Sequence, residues 1–157
     1  MIRPMRAQRR MSSRPAARAV VAAVLFQFLA IGGHPRAARQ ELPADQMAQL
    51  KREGEEIYAR ECSSCHGADG TGDGAGPALD GNTNLGNKDH VLKRILEGSP
   101  ENGMDPFGGT LSDHEVAAAA TYVRTAWTNA FGGIPERDAS RAREALGKAP
   151  SAGATAR

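Results

Sequence analysis

Cys62-Ser63-Ser64-Cys65-His66 constrains this chain more than any other stretch. Two thiols at this spacing, followed at once by an imidazole, form the C-x-x-C-H pattern of covalent haem attachment. Each thiol can add to one vinyl group of the porphyrin, and the imidazole of His66 can then reach the iron from one face. The chain has no other cysteine, so none is left over for a structural disulfide. Other uses of C-x-x-C fit less well. A redox dithiol belongs in a strand–helix–strand setting, and no strand-like run flanks this one. A structural zinc site needs four ligands at motif spacing, and His34, His90 and His114 form no second pair.

Composition agrees with a cofactor-filled core. Aromatic residues make up only 4% of the 157 residues, and glycine is abundant. So few large side chains build a thin core, to which a buried haem adds apolar surface. The formal charge of +2 is misleading. Residues 1–32 hold six arginines and no acids; without them 14 basic residues face 18 acidic ones, a net of −4 before haem is counted. A mildly acidic protein of this kind gives no case for nucleic-acid binding.

Arg3, Arg6, Arg9, Arg10, Arg14 and Arg18 precede Ala19–Gly33, an apolar run of 15 residues interrupted only by Gln27. That is short of the ~20 needed to span a bilayer. A basic segment followed by a short apolar one predicts a secretory signal over 1–33. The alternative is an uncleaved N-terminal anchor, which would bring the protein to a membrane. Residues 34–44, with Pro35 and Pro43, are read as a linker, 45–130 as the domain, and 131–157 as a tail.

Within the domain, Met47, Leu50, Gly54, Ile57 and Tyr58 recur on one helical face. Residues 67–87 are rich in Gly, Asp and Asn and predict a loop. No strand precedes it and no Lys-Ser/Thr follows, so a phosphate loop is a weak reading. Asp69 and Asp73 lack the spacing of a calcium loop. Asn87 is placed to cap a helix carrying Val91, Leu92, Ile95 and Leu96, which Gly98-Ser99-Pro100 ends. Ser112 and Glu115 form a capping box, followed by an amphipathic pattern of Val116, Ala119, Ala120, Val123, Ala126 and Trp127. Trp127 is read as a packing residue. A short helix over 136–146 starts after Pro135, and the residues from Pro150 onward have a disordered composition.

A second iron ligand is sought among the remaining donors. Met104 lies in a loop, ahead of the stiff Pro106-Phe107-Gly108-Gly109 turn. Its thioether is a soft ligand, and His/Met ligation raises the potential of a c-type haem. The ordinary alternative is a gap-filling methionine, but Met104 is on no apolar stripe. Met47 precedes the haem motif on a helix, and Met1, Met5 and Met11 lie in the leader. His90 and His114 fall near helix starts and read as surface residues.

Five segments together resemble a known family. They are Gly54–Tyr58 with Cys62–Gly67, Gly74–Leu79, and Gly103–Gly109 with Thr121–Asn129. Over about residues 45–130 the chain resembles the class I monohaem cytochromes c, of the type that accompanies periplasmic dehydrogenases or nitrite reductases. The resemblance implies an all-α fold of three main helices and long loops around one covalently attached haem c. It implies that the Pro77 carbonyl accepts a hydrogen bond from His66, that Leu79 packs on the haem, and that Tyr122 meets Gly54 and Tyr58 where two helices cross. The family usually has proline directly after the ligand methionine; here the residue is Asp105.

The expected function is one-electron transfer in the periplasm, with Cys62 and Cys65 attaching haem c and His66 and Met104 ligating iron. Partners would be redox proteins: a dehydrogenase, an oxidase or a reductase. The protein would not be an enzyme by itself, although it could be the cytochrome subunit of one. The alternative is a haem enzyme or gas-binding protein with an open or displaceable sixth position. Replacing both Cys62 and Cys65 is expected to release haem on denaturing extraction; haem that survives extraction in the double variant overturns the thioether assignment.

Overall fold

The computed structural model describes residues 41–72 and 74–149. The expected leader over 1–33, Asp73 and the tail from 150 onward lie outside them, as does most of the linker. The described residues are helical, with no β-strand among them: α1 (Ala44–Glu61), α2 (Ser63–His66), α3 (Lys88–Glu97), α4 (Asp113–Thr125) and α5 (Glu136–Ala145). The all-α expectation holds. Alongside the three main helices α1, α3 and α4 stand the single turn α2 and the added α5.

Helix ends follow local chemistry. Asn87 Oδ1 accepts from the backbone N–H groups of Asp89 (3.1 Å) and His90 (3.2 Å), opening α3. The Ser112 hydroxyl accepts from Glu115 N (3.2 Å), and Glu115 Oε2 accepts from Ser112 N (2.8 Å), opening α4. Each pair satisfies backbone donors that the first helical turn leaves unbonded.

The helix α4 is the centre of the fold, packed by α1, α3 and α5. Its crossing with α1 depends on Gly54. A Cβ there would run into the Ala118 carbonyl and stand 2.8 Å from Tyr122 Cβ. Tyr58, one turn further along α1, stacks at 5.3 Å from the Tyr122 ring, so the predicted crossing contacts are present. The run Val116–Thr121 is buried without a break. An exposed polar face was expected, but here α1, α3 and α5 enclose the helix, and its small alanines let them come close.

The end of α4 departs from the periodicity. The helix stops at Thr125, Ala126 is extended, and Trp127 takes φ = 52°. A bulky residue in this left-handed region costs ~1–3 kcal/mol and needs firm surroundings. Trp127 has them: its ring lies edge-on to Tyr58 (5.3 Å) and Tyr122 (5.6 Å). It is a packing residue, as expected.

Residues 131–149 add to the core. Ile134 and Ala139 are fully buried and Arg143 is 1% exposed. Arg143 donates to Asp113 Oδ1 (2.6 Å), the Leu111 carbonyl (2.8 Å) and the Gly108 carbonyl. Arg124, 6% exposed, donates to the carbonyls of Gly132 (3.0 Å), Phe131 (2.6 Å) and Leu85. The planar five-donor guanidinium suits such clustered acceptors.

His114, in the first turn of α4, joins three helices. One ring nitrogen lies 2.5 Å from Glu53 Oε2 on α1 and the other 3.2 Å from Glu136 Oε2 on α5. Burial alone would depress this imidazole, but hydrogen bonds and charge from Glu53 and Glu136 outweigh it and hold its pKa above the usual value.

Two outcomes are expected. Gly54→Ala should lower stability by about 1–3 kcal/mol through overpacking, whereas an exposed helical glycine would gain ~1 kcal/mol from the same change; the denaturation midpoint gives the sign. His114 is raised in the folded state, so its stabilisation is fully present below about pH 6.5 and is lost as pH rises through the raised value. Thermal midpoints across pH 5–9 should show this loss in the wild type and not in His114→Gln.

Candidate haem site

The attachment motif sits where α1 gives way to α2. Cys62 ends α1, its N–H still donating to the Tyr58 carbonyl (2.9 Å), and Cys65 and His66 lie in the following turn. This turn brings two cysteines and a histidine, close in sequence, to one end of the longest helix. Both thiols are half-buried and free, and Cys62 packs against the core. Burial, then the charge of Glu61 and the neighbouring Cys65, pushes the Cys62 thiol up to about 11. A thiol raised in this way stays protonated and is a weak nucleophile near neutral pH.

His66 is oriented by the next loop. Its Nδ1 lies 2.8 Å from the Pro77 carbonyl oxygen. A carbonyl only accepts, so Nδ1 carries a proton, and in the neutral ring Nε2 is then the nitrogen with the lone pair. This is the arrangement a metal-bound histidine takes, with the outer hydrogen bond setting both tautomer and ring plane. The loop reaches the ring because residue 76 is glycine: a Cβ there would sit 2.8 Å from the imidazole Cε1 and Nδ1. The Gly76 N–H also donates to the Cys65 carbonyl (2.9 Å) and Gly72 N–H to the His66 carbonyl (2.9 Å). The glycines of this loop therefore pass tightly over the attachment turn itself. Only their number, not their individual roles, was visible in the sequence.

The other predicted residues are placed as follows. Leu79 is half-buried and packs against the core cluster, and Pro77 is exposed. Met104 is half-buried in the loop between α3 and α4. Its backbone is paired both ways with Ser99, Ser99 N to Met104 O at 2.8 Å and Met104 N to Ser99 O at 3.1 Å. Beyond it, Phe107 N and Gly108 N donate to the carbonyls of Ile95 (3.0 Å) and Leu96 (3.1 Å) at the end of α3. The Met104 loop is thus tied at both ends to the α3 terminus. Direct contact joins His66 to Pro77; Met104 is held by its own set of bonds.

Tyr58, expected on the α1 face and at the helix crossing, also braces the site. Its hydroxyl donates to the Gly67 carbonyl at 2.5 Å. Burial first, then the nearby Cys62, raises the phenol to about 12, so it remains a donor. Asp69 accepts from the backbone and hydroxyl of Thr71 (3.1 and 2.8 Å) and so builds its own turn. His90 is exposed at the start of α3.

The donor set fits haem c: two reduced thiols, an imidazole with Nδ1 already engaged, and a thioether in a pinned loop. Cys62 and Cys65 would hold the porphyrin, and His66 would face its iron.

Comparison with known proteins agrees. Residues 48–123 match the family described as cytochrome c oxidase, cbb3-type, subunit III. The fructose dehydrogenase cytochrome subunit of Gluconobacter japonicus is 34% identical over 93 residues, covering 50% of this chain. The match covers 19% of that relative's length. The thiol pair, the oriented imidazole and the helix crossing, taken with these matches, identify a domain of the class I cytochrome c family, whose cofactor is haem c and whose chemistry is electron transfer.

Proposed function

We propose that this protein is an exported one-electron carrier, working in the periplasm, with a single haem c ligated by His66 and Met104. Haem c supplies a one-electron couple at iron. The chain's own residues do the rest. Cys62 and Cys65 keep the group attached, and the Pro77 carbonyl keeps His66 in one tautomer and one plane. The Ser99 pairing holds the Met104 loop against the end of α3. With both axial positions taken by side chains, no position is left for oxygen, peroxide or substrate, and an electron exchanges with little rearrangement.

The observation that supports this most is the His66–Pro77 hydrogen bond, since it presets the imidazole for a metal. The rival, an enzyme or gas binder, needs an open or displaceable sixth position, and as an enzyme a distal acid–base group as well. His114 is engaged by carboxylates on both ring nitrogens, and nothing else in the site favours that reading.

The relative's printed name, together with its greater length, suggests a role as the electron-accepting module beside a dehydrogenase, handing electrons on to an oxidase or reductase. Electron-transfer partners meet through small interfaces, and a mildly acidic surface would make the encounter salt-sensitive. No described helix is long and apolar enough to cross a membrane.

Absorption spectra of the oxidised and reduced holoprotein, with and without carbon monoxide, test the ligation. The wild type should be low-spin, show the weak far-red sulfur–ferric band, and be unmoved by carbon monoxide. Met104→Ala should keep its haem, lose that band and bind carbon monoxide. A high-spin wild type that binds carbon monoxide readily overturns the carrier reading.

A further inference from the structure

Pro77 is the sole residue bonded to the His66 ring among the described contacts, and its loop is exposed. Something must keep its carbonyl in place. Two residues beyond Pro77, the chain runs into a clamp built from the segment just after α4. Asn129 is 6% exposed, and its side chain makes three hydrogen bonds. Its Oδ1 accepts from Gly81 N (3.1 Å), and its Nδ2 donates to the carbonyls of Leu79 (2.9 Å) and Val123 (2.8 Å). Beside it, Asp80 Oδ1 accepts from the backbone N–H of Thr128 (2.9 Å) and from its hydroxyl (2.5 Å).

The same segment reaches the other side of the loop. The Trp127 ring lies where a Cβ on Gly70 would stand, 2.7 Å away. The Gly70 carbonyl in turn accepts from Leu79 N (2.7 Å) and Asp80 N (3.0 Å). Trp127, Thr128 and Asn129 therefore grip both strands of the loop that presents Pro77. The left-handed backbone at Trp127 turns the chain out of α4, so that Thr128 and Asn129 meet residues 79–81.

We propose that Asn129 is a positioning residue for the axial imidazole: with Asp80 and Thr128 it fixes the Leu79–Gly81 strap, and through it the length of the His66–Pro77 hydrogen bond. This rests on the reading that His66 ligates the iron. A firm bond from Nδ1–H to a carbonyl makes the imidazole a stronger electron donor and favours ferric iron. Loosening the strap weakens that bond, and the reduction potential rises.

The test uses holoprotein, comparing Asn129→Ala and Asn129→Asp with the wild type. The aspartate keeps an acceptor for Gly81 N but loses both donations. Asp80→Ala and Asp80→Asn form a second pair, in which the asparagine can retain the acceptor oxygen. Ile134→Val, in the core away from the strap, controls for lost stability. Two quantities are read: the reduction potential and the hyperfine-shifted imidazole proton resonances of the oxidised protein.

Both Asn129 variants and Asp80→Ala should move the ferrous/ferric ratio about threefold toward ferrous, near 28 mV upward at 59 mV per tenfold, with displaced imidazole resonances. Asp80→Asn should stay near the wild type, and Ile134→Val should lower the thermal midpoint without moving the potential. Wild-type potential and resonances in the Asn129 variants overturn the proposal while leaving His66 ligation standing. An equal potential shift in Ile134→Val overturns it too. Absence of axial-imidazole resonances in the wild type overturns both the ligation and the proposal.

Discussion

Everything in this fold depends on how closely α1 and α4 approach. At Gly54 the two backbones are in contact, with no room for a methyl group beside the Ala118 carbonyl. That contact sets the angle at which α1 leaves the core. It therefore sets where its last turn delivers Cys62, and where Tyr58 meets Tyr122 and Trp127. Packed interiors tolerate little change of volume, so a glycine with no side chain has as much influence on the site as the predicted haem residues do.

The site is assembled from three segments, each tied to a helix end. The attachment turn continues α1. The Pro77 loop is gripped by residues that follow α4, and the Met104 loop is bonded to the end of α3. Loops rich in glycine lose much entropy on ordering. Here they are ordered by hydrogen bonds to rigid elements, which keeps His66 and Met104 in place while leaving backbone thin enough to lie against a large planar group. Electron transfer gains from that rigidity, because a centre that moves little between oxidation states has little reorganisation to overcome.

Much of this was legible because the signals are local. C-x-x-C-H, the Ser112–Glu115 box and the Asn87 cap each act within a few residues, so spacing alone carries them. The Gly54–Tyr122 contact was reached by resemblance and the fold contains it. Long-range roles were not legible. Nothing local marks Arg124 and Arg143 as buried, since their targets are carbonyls and one carboxylate 7 to 39 positions away. The turn at Trp127 was hidden because the helical pattern continues through Ala126 and Trp127, and only tertiary bonds at Thr128 and Asn129 end it. His114 looked like a surface histidine, since Glu53 and Glu136 lie far off along the chain. The weight of residues 131–149 was underrated for a similar reason: Ile134 and Ala139 are too few to make a pattern.

Arg143 gives that C-terminal region a further meaning. Its guanidinium sits on the Gly108 and Leu111 carbonyls and on Asp113, so α5 acts as a plug behind the stretch joining the Met104 loop to α4. A chain ended at residue 130 would contain every predicted haem contact and still lack this plug. It would expose carbonyls that now have a buried donor and uncover the alanine face of α4. The smallest fragment that carries the haem residues is therefore smaller than the smallest fragment able to hold them still.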